Sequence, residues 1–159
     1  MFVQPLRIST GLLCLAFFVC FAASAGAQSD TLPLGILKAL RSDELQCCKQ
    51  GSEGFEESCH QHFIAHLRRR ELRVAPPGKL AILIENRNQG FCGSAGCALH
   101  LFIRQSGGNF VEVLDEVGIL KNVTTLKSVT KGYYDLQKTS ADRRTKTIYR
   151  WDGSGYVAE

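Results

Sequence analysis

The densest run of reactive residue types in this chain is Cys92-Gly93-Ser94-Ala95-Gly96-Cys97. A cysteine there has three chemistries open to it: thiolate nucleophile, metal ligand, or half of a disulfide. A nucleophile needs a helix N-terminus, a histidine base and a residue to orient that base. A metal site needs several donors on one face. Cys59, His62 and His66, at i, i+3 and i+7, meet that condition on a helix, where they fall within roughly 60° of one another. His60 points elsewhere on the same helix. The competing reading is that Cys59 is oxidised. Arg68, Arg69, Arg70 and Arg73 form the one basic run; at a helix C-terminus they favour the macrodipole, which is the preferred reading over an anion-binding patch. The adjacent acids Glu56-Glu57 and Asp115-Glu116 diverge on any regular element, so no separated acid/base pair stands out. No phosphate loop or nucleotide fingerprint occurs, and no cofactor is implied.

The string Gln89-Gly90-Phe91-Cys92-Gly93-Ser94 is similar to the active-site segment of papain-like cysteine proteases, but the likeness ends there. Ala95-Gly96 replace the Cys-Trp expected next, the following residues alternate as a strand, and the sole downstream histidine, His100, lies on that strand. Only 67 residues follow Cys92, too few for the second half of such an enzyme. Ser94 lacks the spacing of a nucleophile elbow. We therefore expect no enzyme. Two glycines between Cys92 and Cys97 let the chain reverse inside a small ring, which makes the segment a stapled β-turn. A redox pair would want two intervening residues rather than four. A rigid turn also lowers the ordering cost of binding, so residues 92–97 are the candidate recognition loop.

The compartment follows from the N-terminus. Arg7, the apolar run Gly11–Ala23 and the small residues Ser24-Ala25-Gly26-Ala27 read as a signal peptide cleaved after Ala27. The apolar core is short of the ~20 residues that cross a bilayer, so no integral membrane segment is expected after its removal. Residues 28–159 then form a single domain, with 18 basic against 15 acidic residues. A charge so mild and dispersed does not argue for nucleic acid. Five cysteines remain: Cys47, Cys48, Cys59, Cys92 and Cys97. Export makes disulfides the default. Cys92 pairs with Cys97, and one of the vicinal cysteines, taken as Cys48, pairs with Cys59. The odd thiol is then buried, free, or able to form a dimer.

Spacing places helices over Leu34–Cys48 and Gly54–Val74, a hairpin pinned by the Cys59 bridge and stopped by Pro76-Pro77-Gly78. The period then switches to strands at 80–85, 98–103, 110–117, 126–130, 133–139 and 147–151, separated by Gly-containing turns. The expectation is an α+β fold: a helical part at 32–74 packed on an antiparallel meander of five to six strands at 79–159. Asp152-Gly153 turns the last hairpin and brings Trp151 opposite Tyr156. Asn122-Val123-Thr124 is a glycosylation acceptor only in a eukaryotic secretory route.

The order of the C-G-x-x-G-C hairpin, the Gly107-Gly108 turn, the Gly132-Tyr133-x-Asp135-Leu136 segment and the closing Trp-Asp-Gly-x-x-Tyr hairpin resembles a group of uncharacterised small exported bacterial proteins. The resemblance covers about residues 80–159 and implies a small periplasmic protein with an antiparallel sheet. Size, compartment and the stapled loop together point to a non-enzymatic binding protein, periplasmic or secreted, with a protein partner; an inhibitor or immunity-type protein against a secreted or envelope hydrolase is one concrete form. The rival from another class is a metal-binding or redox protein using Cys59, His62 and His66.

Overall fold

Two apolar runs, Leu-Ala-Ile-Leu-Ile at 80–84 and Ala-Leu-His-Leu-Phe-Ile at 98–103, lack the polar alternation of a half-exposed strand. Strands of that kind are covered on both faces. The computed structural model, which describes residues 32–49 and 56–159, shows what covers them. The expected signal peptide at 1–27 lies outside those residues, as does the connection at 50–55.

Among the described residues, three short helices, α1 (Leu34–Ala39), α2 (Arg41–Lys49) and α3 (Glu56–Ala65), precede the strands. These strands are β1 (Leu67–Ala75), β2 (Lys79–Asn86), β3 (Cys92–Gly93), β4 (Gly96–Arg104), β5 (Phe110–Gly118), β6 (Val123–Thr130), β7 (Tyr133–Thr139), β8 (Lys146–Trp151) and β9 (Tyr156–Ala158). Every pairing is antiparallel. The first sheet runs β1-β2-β4 with β5 on the far side of β4, and the second runs β6-β7-β8-β9. Cys97 faces both Cys92 of β3 and Gly118 of β5, so β3 continues the β2 column after a five-residue excursion.

Strand parity divides the first sheet between two cores. Ala81, Leu83, Leu99, Leu101 and Ile103 meet Leu136, Tyr149, Trp151 and Tyr156 of the second sheet. Ile84 and Phe102, one residue out of step, meet Ile36, Leu40 and Phe63 of the helices. The order of layers is helices, first sheet, second sheet. Leu32–Glu159 is one compact unit. Burying a side chain such as Phe102 or Leu101 completely is worth roughly 1.5–3 kcal/mol, so each core is a substantial anchor.

The structure corrects three expectations. The first helix is two, α1 and α2, broken at Leu40, whose side chain is buried and whose backbone bridges the break, with Leu40 N donating to Ile36 O and Glu44 N donating to Leu40 O. The second helix stops at Ala65, and residues 67–75 form β1 instead, pairing with β2 from Leu67↔Asn86 to Leu72↔Ala81. Leu72 and Val74 are buried while Glu71 and Arg73 are exposed, a period of two that the four-step run Phe55, Cys59, Phe63, Leu67 obscured. Pro76-Pro77-Gly78 is accordingly not a helix stop but a hairpin turn, closed by Gly78 N donating to Ala75 O. Finally, among the described residues nine strands in two sheets replace a single meander of five to six. The six strands read from the sequence all occur, and β9 is the return strand of the expected Trp151–Tyr156 hairpin; β1 and β3 are additional.

Candidate functional site

His100 is the centre of a buried polar cluster on the helix-facing side of the first sheet. Parity puts it beside Phe102, and its residue is only 6% exposed. Asp115 lies directly across on β5, and a β-bulge just beyond it, between the pairs Leu101↔Leu114 and Phe102↔Glu112, inserts Val113. The extra residue resets the alternation, so Glu112 and Asp115, three apart, both reach the same imidazole. His100 Nδ1 donates to Glu112 Oε1 at 2.6 Å and lies 3.7 Å from Asp115 Oδ1. On the other edge, Asp43 of α2 holds Oδ2 3.2 Å from Nε2, an ion-pair contact off the N–H direction a hydrogen bond needs.

The electrostatics follow from this clamp. Burial by itself would lower the His100 pKa, but Asp43 and Glu112 outweigh it and hold the ring at about 9. Burial pushes Asp43 up, yet His100 and Asn86 bring it below its ordinary value. Asp115 is raised by burial and by the neighbouring acids Glu112, Asp43 and Glu116, against the pull of His100. Its neighbour Glu116 turns to the opposite side, where Lys138 Nζ donates to Oε2 at 2.7 Å. The adjacent acids therefore diverge, as expected.

The cluster extends inward through two buried asparagines. Asn86 Nδ2 donates to Asp43 Oδ2 at 3.0 Å, and Asn86 Oδ1 accepts from both the backbone and the side chain of Asn88. Asn88 Nδ2 also donates to Phe63 O at 3.1 Å, tying α3 to the sheet. The free thiol, Cys47, donates to Asn88 Oδ1 at 3.5 Å. Burial and the nearby Glu44 raise its pKa, which lowers its thiolate fraction.

A second feature lies at the end of the first sheet. Cys92↔Cys97 and Gly93↔Gly96 pair directly, leaving Ser94-Ala95 as a two-residue turn, and a disulfide joins Cys92 to Cys97. Cys92, Gly93, Ser94 and Ala95 are exposed. Gly96 has φ +122°, and a Cβ there would sit 2.1 Å from Gly118 O, so β5 can approach only because this residue is glycine. The turn borders a cleft of about 450 Å³ whose other side is the β7–β8 loop at Ser140, Asp142 and Thr145, with Val117, Gly118 and Lys138 between. That loop is braced from within: Ser140 Oγ donates to Asp142 Oδ1, and Thr145 N donates to Ser140 Oγ.

The residues singled out in sequence land as follows. Cys48 and Cys59 form a disulfide linking α2 to α3, which removes Cys59 as a metal donor. His62 and His66 remain exposed and adjacent, with rings 4.3 Å apart, but His66 Nδ1 is occupied by His62 O. The three are therefore not a three-donor metal site in this structure. The basic run lies on β1, not at a helix terminus: Arg68 and Arg73 are exposed, whereas Arg70 turns toward the second sheet and donates to Val123 O. Asn122 donates its Nδ2 to Thr139 O and Ser140 O, so its amide holds the β7–β8 loop. Trp151 faces Tyr156 edge-on at 5.4 Å, and Tyr133 stacks on Trp151 at 4.1 Å.

Asp43, Asn86, Asn88 and Glu112 escaped sequence reasoning, and His100 entered only as a rejected base for Cys92. One signal was present: a histidine interrupting the run Ala-Leu-His-Leu-Phe-Ile must find polar partners if both faces of that strand are covered. No protein-family model matches the chain, and no curated protein or solved structure matches it either.

Proposed function

We propose that this chain is a small, non-enzymatic binding protein of the cell envelope, periplasmic or secreted, that engages a protein partner through the stapled hairpin at residues 92–97. The observation that carries the reading is the hairpin itself: an exposed Ser94-Ala95 tip whose backbone is fixed by a disulfide and two strand pairs, standing beside an open cleft. Fixing a loop before contact removes part of the entropy cost of association. Two disulfides suit an oxidising compartment, and among the described residues no helix is long and apolar enough to cross a membrane. An inhibitor or immunity-type role against a secreted or envelope hydrolase is the form we favour, because a rigid protruding turn beside a cleft is suited to blocking another protein's groove.

Site-specific photo-crosslinking in the native compartment tests this. A photoreactive side chain at Ser94 is expected to yield a discrete adduct that is lost when Cys92 and Cys97 are both replaced by serine. The same side chain at Lys127, exposed on β6, serves as the control. Identical adducts from both positions, or none from Ser94, would overturn the proposal.

A further inference from the structure

The carboxylates around His100 outnumber the charge they enclose. Asp43, Glu112 and Asp115 each make an ion pair with the same imidazole. One imidazolium against three carboxylates leaves a surplus of about two negative charges, part of it on the solvent-facing Asp115 and Glu112, which gives the site a net attraction for a cation. The ring is more than nine-tenths buried, with Nδ1 turned toward Glu112 and Asp115 and Nε2 3.2 Å from Asp43 Oδ2. One donor atom from each of His100, Glu112 and Asp115 lies within 4.8 Å of the other two.

We propose that His100, Glu112 and Asp115 bind one divalent transition-metal ion of zinc's chemistry, with Asp43 orienting the ring. In this arrangement Nδ1 gives up its proton to solvent and ligates the ion, while the Nε2 proton stays toward Asp43. A histidine whose second nitrogen faces a carboxylate is the usual support for a metal-bound imidazole. Ligands of a tetrahedral ion stand roughly 3.3 Å apart for bonds of ~2.0–2.1 Å, so Glu112 must withdraw somewhat from its present 2.6 Å contact. It can do so: the Glu112 and Asp115 side chains are 35% and 73% exposed, which also gives the ion access from solvent and leaves room for a water as fourth ligand. A mixed nitrogen and oxygen set suits zinc and its neighbours and disfavours calcium and magnesium, which take oxygen ligands. This site shares no residue with the Cys59, His62 and His66 pattern, and it stands or falls independently of the hairpin's role.

Isothermal titration of zinc chloride into the untagged, chelator-stripped mature chain is the test. One equivalent is expected to bind with micromolar or tighter affinity. Asp115→Asn, at an exposed position where folding is readily confirmed by circular dichroism, is expected to weaken it by about tenfold or more. Glu112→Gln should do likewise, and a His62→Ala, His66→Ala double variant should bind as the parent does. Absence of saturable binding, binding indifferent to Asp115→Asn, or binding lost in the His62/His66 variant would each overturn the assignment.

Discussion

Removing the charge from His100 by raising the pH tests the clamp that joins the helices to the first sheet. The ring's ordinary pKa is 6.5, and Asp43 and Glu112 overcome the opposing effect of burial to hold it at about 9. A group raised on folding contributes stability fully below its unfolded value, and that contribution fades as the pH rises through the folded value. The window is therefore about pH 6.5 to 9. At ~1.4 kcal/mol per tenfold change in proton affinity, the full linkage is on the order of 3 kcal/mol, trimmed to ~2–3 kcal/mol because Glu112 is about one-third exposed. That is a sizeable share of a domain whose total is roughly 5–15 kcal/mol. Urea unfolding of the metal-free protein from pH 6 to 9.5 should show stability falling by this amount. His100→Gln should be markedly less stable at pH 6, because it leaves the carboxylates facing one another, and should lack the decline. A flat profile for the parent, or the same decline in His100→Gln, would refute the reasoning; so would a His100 ring titrating near 6.5 by nuclear magnetic resonance.

Other consequences are equally specific. Cys92→Ser and Cys97→Ser should lower stability equally, by about 2 kcal/mol for so short a closed loop, whereas opening Cys48–Cys59 should cost about 3 kcal/mol; chemical denaturation of the reduced-thiol variants measures both. Gly96→Ala places a Cβ against Gly118 O and forces an L-residue into a left-handed conformation, so a loss of at least ~2 kcal/mol is expected from thermal unfolding. Native Cys47 should react with iodoacetamide at pH 8 about tenfold more slowly than in urea, since its thiol is half-buried, bonded to Asn88 and raised in pKa; equal rates would contradict that environment and reopen a dimer through this thiol.

What the sequence determined by itself was local. The six strands from 80 to 151, the stapled four-residue loop between Cys92 and Cys97, and the Trp151–Tyr156 hairpin rest on period, glycine placement and short-range pairing, all written within a few residues. Tertiary structure decided the rest. Residues 67–75 carried both a helical four-step and a strand-like two-step, and pairing with β2 chose the strand, which sets Leu72 and Val74 in the core between the sheets. The continuous apolar runs of β2 and β4 implied cover on both faces without saying that helices cover one and a second sheet the other. The His100 cluster was least legible of all. It gathers Asp43 from a helix, Asn86 and Asn88 from the end of β2 and the loop beyond it, and Glu112 and Asp115 from β5, and it depends on the bulge at Val113. A one-residue insertion in strand pairing reverses which side chains share a face, and its position is set by how two distant strands meet.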